Sequence, residues 1–193
     1  MSLAISWIIT APGWDRAEVL NRIGDLRRVA ASLPFAAVDD LRARPEEIGF
    51  SAHYHRGAES TPIVLRQDPN GLWSGHDQSK TLYAGRPQHG GDENFLCAHL
   101  SIVALLDAAV RMGFDVEVHD GGGFWEARDL RALAEARRRD DRCVSAVAGR
   151  IAGVLQEQLG DGVEMPVEPS ELDHWQQNEA LSTLLDLVMR MRR

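Results

Sequence analysis

Gly49-Phe-Ser-Ala-His-Tyr-His55 alternates apolar and polar side chains one for one, and a period of two is the mark of a half-buried strand. Phe50, Ala52 and Tyr54 fall on one side, Ser51, His53 and His55 on the other. Downstream, Ile63-Val-Leu65 begins a second apolar run, and Asp68-Pro-Asn-Gly71 is turn chemistry ahead of Leu72-Trp73. A further polar stretch, His76 to Ser79, predicts another break before Thr81-Leu-Tyr83. Gly49 to Gly85 therefore predicts an antiparallel meander of three or four strands.

Upstream the period changes. Val19, Leu20, Ile23, Leu26 and Val29 recur at helical spacing from Asp15 to about Ala31, with charged residues between them. This predicts an amphipathic helix lying against the sheet. Leu3 to Thr10 reads as a strand before the Pro12-Gly13 break, and Pro34 and Pro45 bracket a segment whose class is left open. Past the glycine-rich loop Gly85 to Gly91, Asp92 has the chemistry of an N-cap for a long helix to about Met112, which Gly113 ends. Phe114 to His119 alternates as another strand, and Asp129 predicts a cap after the loop Asp120 to Trp125. Apolar residues at helical spacing then run from Leu130 to Leu159, as one helix or two, and Leu181, Leu184, Leu185 and Val188 mark a last helix.

The expected fold is α+β: an antiparallel sheet of about five strands covered by helices, with a C-terminal helical extension. Residues 1–128 form the core domain in this reading, and 129–193 a helical extension packed on the same domain. A chain of 193 residues fits one domain and buries about 70% of its unfolded surface without staples. Cys97 and Cys143 are too few for a disulfide framework. The opening Met1 to Ile9 lacks a basic leader region, and no apolar run approaches the roughly 18 residues of a membrane span. A cytoplasmic location is expected. Lys80 is the only lysine among 21 basic residues, a bias that suits a GC-rich bacterial genome.

Charge is unevenly placed. The net charge is −8, and from Ile151 to Met189 there is no Arg or Lys against eight acids: Glu157, Asp161, Glu164, Glu168, Glu171, Asp173, Glu179 and Asp186. Such a surface repels nucleic-acid phosphate and favours a basic partner.

Residues i and i+2 of a strand project to one side, so His53 and His55 can converge on an ion, with Glu59 and His89 completing a set. The pattern His53-x-His55-x-x-x-Glu59, with a later histidine in His89-Gly-Gly-Asp-Glu-Asn94, partly resembles the two metal-binding motifs of the cupin family. That resemblance implies a metal held by these four side chains inside a closed double-sheet barrel. The sequence departs from it where Arg66 replaces the glycine that closes the first motif and where Pro-x-Gly is missing before His89. More than half the chain also reads as helix. The preferred reading makes Ser51, His53 and His55 the polar face of an amphipathic strand.

Three other stretches bear on chemistry. Cys97 and His119 imitate a thiolate-imidazole pair, yet Cys97, Ser101, Ala104 and Ala108 form a small-residue stripe that suits packing. Asp120-Gly-Gly-Gly123 lies between strand and helix, where amides can cradle phosphate, but Asp120, Glu126 and Asp129 oppose an anion. A loop anchored by Phe124 and Trp125 is the expectation, and these aromatics suit a protein interface if exposed. Arg137-Arg-Arg-Asp-Asp-Arg142 mixes opposite charges at helical spacing and reads as a solvated helix.

The functional expectation is a non-catalytic cytoplasmic binding module, without cofactor, metal, nucleic acid or membrane. Its partner-binding residues would be Glu164, Glu168, Glu171 and Asp173, with Phe124 and Trp125, facing a basic protein. An immunity protein that neutralises a toxin is one instance. The alternative is a small metal-dependent enzyme built on His53, His55, Glu59 and His89.

Overall fold

The computed structural model describes residues 3–54, 57–140 and 142. Seven strands and three α-helices are bounded within them: β1 (Ala4–Ala11), α1 (Arg16–Ser32), β2 (Ala37–Val38), β3 (Arg42–Arg44), β4 (Glu47–His53), β5 (Thr61–Gln67), β6 (Trp73–Lys80), α2 (Gly91–Arg111), β7 (Asp115–Asp120) and α3 (Phe124–Ala127), with short 3-10 helices at Leu82–Gly85 and Pro87–His89 where the sequence predicts a last strand and a loop. Residues 130–140 are also helical and are called α4.

All strands pair antiparallel in one sheet, in the order β2-β4-β5-β6-β1-β7, with β3 beside β2 on the outer edge of β4. The fold is thus the α+β class that the sequence predicts, with a larger sheet. The extra strands come from the open segment between Pro34 and Pro45, where β2 and β3 are too short to carry a period of their own.

Alternation sorts the sheet into two faces. Ile5, Trp7, Ile9 and Ala11 of β1, Ile48 and Phe50 of β4, Ile63 and Leu65 of β5 and Trp73 of β6 point into one core. Val19, Ile23, Leu26 and Ala30 of α1 bury against that core at the spacing read from sequence. Asp15 caps α1 through the Glu18 amide at 2.8 Å, one residue before the helix proper.

α2 is buried on nearly every side. It is long and apolar enough to cross a membrane, against the expectation from sequence, but 78% of the qualifying stretch is buried inside the fold. That burial gives it the character of a core helix.

Two local expectations need correction. His76 to Ser79 does not break the chain, because Trp73–Lys80 is one continuous strand. Its polarity has a structural cause: His76 and Gln78 face outward, and Ser79, though buried, donates its hydroxyl to the Glu59 carbonyl at 3.1 Å. Nor does Asp92 cap α2. The helix begins at Gly91 after Gly90 (φ 111°), and Asp92 turns inward.

Asp129 does cap α4, accepting from the Arg131 amide at 2.8 Å. Leu133 and Arg137 of α4 are buried, Leu133 in the same core as the sheet. The remainder of the expected helical extension lies outside the described residues.

Candidate functional site

The densest polar chemistry of the described residues lies inside the protein. His99 and Asp120 have fully buried side chains 3.0 Å apart, Nε2 to Oδ2. His99 Nδ1 faces the Thr81 hydroxyl at 3.2 Å. An ionised carboxylate only accepts, so Nε2 carries a proton and donates it to Asp120. Burial pushes the Asp120 pKa up, but the His99 hydrogen bond and charge, with the amides of Gly122 and Trp125, outweigh it and hold the carboxyl below its usual range. Phe95 and Phe124 pack near the imidazole, with ring centroids 5.6 and 6.5 Å away.

The same carboxylate organises the glycine-rich loop. Gly122 N–H donates to Asp120 Oδ1 at 2.7 Å and Trp125 N–H to Oδ2 at 2.9 Å. Gly123 N–H donates to the Asp120 carbonyl, and Gly121 N–H to the Ala4 carbonyl, each at 3.0 Å. Amides that could have cradled a phosphate are already engaged. A Cβ at Gly122 would sit 2.5 Å from Leu133 Cδ1 and 3.3 Å from His99 Cε1, so the loop is seated against the core.

Two buried ion pairs flank this network. Arg128 holds Asp107 of α2 through two bonds of 2.7 and 2.8 Å, with both side chains under one-tenth exposed. Arg137 of α4 pairs with Asp92 and donates to the Gly85 carbonyl, tying α4 to the start of α2. The Arg137 charge is therefore not simply part of a solvated run.

Cys97 and His119 are not brought together. Cys97 is half-buried beside the Tyr54 hydroxyl, while His119 is exposed on the outer face of β7. Burial raises the Cys97 pKa, the Tyr54 hydrogen bond opposes that, and the Glu93 charge adds to it. Burial also raises the Tyr54 pKa. A thiol held protonated is a poor nucleophile. Ser101, from the same stripe, donates to the Cys97 carbonyl at 2.7 Å, which is helix packing chemistry.

The histidine set is dispersed in its described members. His53 Nε2 lies 3.0 Å from Asp39, whose carboxyl that hydrogen bond and the nearby Arg42 lower. Glu59 Oε2 accepts the Lys80 amide at 3.2 Å, and its Oε1 lies 3.5 Å from Lys80 Nζ. His89 packs against Gly57, where a Cβ would come within 2.7 Å of its ring. His55 lies outside the described residues, among which no three His, Cys, Asp or Glu side chains converge as metal ligands.

Of the expected interface residues, Phe124 is fully buried and belongs to the core, so it offers a partner no surface. Trp125 is half-buried, with the Arg128 guanidinium 4.7 Å from its ring. Glu164, Glu168, Glu171 and Asp173 lie outside the described residues.

Sequence reasoning missed the His99–Asp120–Thr81 network and both arginine pairs. A signal was present: His99 and Asp107 are polar intrusions in an otherwise apolar helix, and buried polar groups require partners.

Among the described residues the second face of the sheet is uncovered and largely polar. Across β6, β1 and β7 its rows are Gln78–Ser6–His119, His76–Ile8–Glu117 and Ser74–Thr10–Asp115. Ile8 is 45% exposed at its centre. The chain matches no family model, no curated protein and no solved structure.

Proposed function

We propose that this chain is a non-catalytic cytoplasmic binding protein whose acidic C-terminal segment docks a basic protein, as an immunity protein docks a toxin. The observation that carries the reading is the stretch Ile151 to Met189, eight acids without one Lys or Arg. Opposed potentials of that kind steer association and exclude acidic partners. The reading is supported by the use of His99, Asp120, Asp107 and Asp92 in internal contacts that hold the fold.

The test replaces Glu164, Glu168 and Glu171 together by lysine and compares capture from the source cell's lysate with wild type. A basic protein, identified by mass spectrometry, is expected on wild type only, with binding that weakens as salt rises. Equal recovery by both proteins, or capture of acidic proteins alone, counts against the reading.

A further inference from the structure

Among the described residues β7 is an edge strand that pairs only with β1. The orientation of its backbone follows from one bond. Gly121 N–H donates to the Ala4 carbonyl at 3.0 Å, and Ala4 stands opposite Gly121 in the register that pairs Ile5 with Asp120. Antiparallel strands alternate the direction of their backbone groups. Asp115, Glu117 and His119 therefore turn theirs toward β1, and Val116, Val118 and Asp120 turn theirs away. The Asp120 carbonyl already accepts from Gly123. What the edge presents is both backbone groups of Val116 and Val118, and the Asp120 N–H.

Unused edges of this kind are usually blunted by charged side chains, above all lysine, by proline, a bulge or a covering element, and here the acids Asp115 and Glu117 serve only if no opposite charge faces them. β7 reads Asp-Val-Glu-Val-His-Asp, with neither lysine nor proline, and Val116 and Val118 are only half-buried on the core side. On the open face Asp115, Glu117 and His119 are exposed, and none of the three has an ion-pair partner among the described residues.

A two-fold axis perpendicular to the sheet allows two registers between copies of β7. With Glu117 on the axis, Glu117 meets its own copy, each Asp115 lies opposite a His119 of the second copy and Val116 meets Val118, so two acid–imidazole pairs come with one pair of like charges. With Val118 on the axis, each Glu117 lies opposite a His119 of the second copy, Asp115 lies opposite Gly121, and the two Val118 side chains meet on the core face. Both registers use the free backbone groups equally well. Like charges directly opposite destabilise a strand pair, and a carboxylate opposite an imidazole N–H stabilises it.

We propose that the protein self-associates through β7, antiparallel and centred on Val118, forming a two-fold dimer with a continuous sheet. The interface is isologous, and its specificity lies in the reciprocal Glu117–His119 pairs.

The test is sedimentation velocity of the full chain from micromolar to millimolar concentration. Wild type is expected to dimerise, and Glu117→Lys to weaken self-association about tenfold, since it removes two favourable pairs and adds two repulsive ones. The exchange Glu117→His with His119→Glu restores the wild-type constant, and Asp115→Asn leaves it unchanged. Val118→Pro, which removes an outward N–H and no bond to β1, abolishes the dimer while the monomer still unfolds in one cooperative transition. A wild type that stays monomeric throughout overturns the proposal. So does a dimer that Asp115→Asn weakens or that the exchange does not restore.

Discussion

Arg128 occupies a left-handed backbone conformation, φ 54°, that side chains other than glycine rarely adopt. Its guanidinium holds it there, fixed to Asp107 by two bonds and to the Trp125 carbonyl by Nε at 3.0 Å. Arg128→Ala should lower stability by about 3–5 kcal/mol in urea denaturation, because Asp107 is left as an uncompensated buried charge. Arg128→Gly should lose about 1 kcal/mol less, since glycine tolerates the angle. Equal losses would mean that the backbone there carries no strain. Asp120 makes a prediction in pH. Its folded pKa lies below the unfolded value near 3.9, so its contribution is complete above that value and lost as pH falls through the lower one. Asp120→Asn should therefore be less stable than wild type at pH 7, with the difference shrinking toward pH 3; a constant difference would refute this. The need for partners could be read from these residues, but their identities could not: 21 residues separate Asp107 from Arg128 and His99 from Asp120, and only the packing of α2 against β7 and the loop after it closes those distances.

At the scale of elements, periodicity was a sound guide where one face is buried and one is wet. β1, β4, β7 and α1 follow their patterns, and Asp15 and Asp129 cap as their chemistry requires. β6 escaped because it is a central strand with polar side chains on its outer face and a satisfied serine within, a combination that resembles a turn in one dimension. Glycines separate the two kinds of constraint. A Cβ at Gly49 would lie 2.6 Å from the Val64 Cα, in the space between β4 and β5, whereas at Gly24 of α1 it would meet only Leu41 Cδ2 at 3.8 Å. Gly49→Ala should cost about 1–3 kcal/mol by forcing the strands apart. Gly24→Ala should stabilise by about 0.5–1 kcal/mol through helix propensity. Thermal unfolding of the two variants checks both signs, and a destabilised Gly24→Ala would show that α1 packs more closely than these contacts allow.

For the whole molecule, the two proposed routes to association differ in origin: the acidic stretch is a property of composition, and the β7 edge among the described residues is a property of topology. Their responses to salt should differ, since attraction to a basic partner is screened within a Debye length of about 8 Å at physiological ionic strength, while backbone strand pairing is not. Raising salt should release the basic partner and leave self-association largely intact; loss of both together would mean that one electrostatic surface serves both. By itself the sequence determined the α+β class, the meander, the caps of α1 and α4 and the charge asymmetry, because these follow from local periodicity and counting along the chain. Only the tertiary structure decided that the glycine loop closes on Asp120, that His53, Glu59 and His89 each take a separate neighbour, and that β7 is an edge strand among the described residues. Those outcomes depend on which distant elements become neighbours, and partner choice across such separations is set by packing of the whole core, which no local pattern encodes.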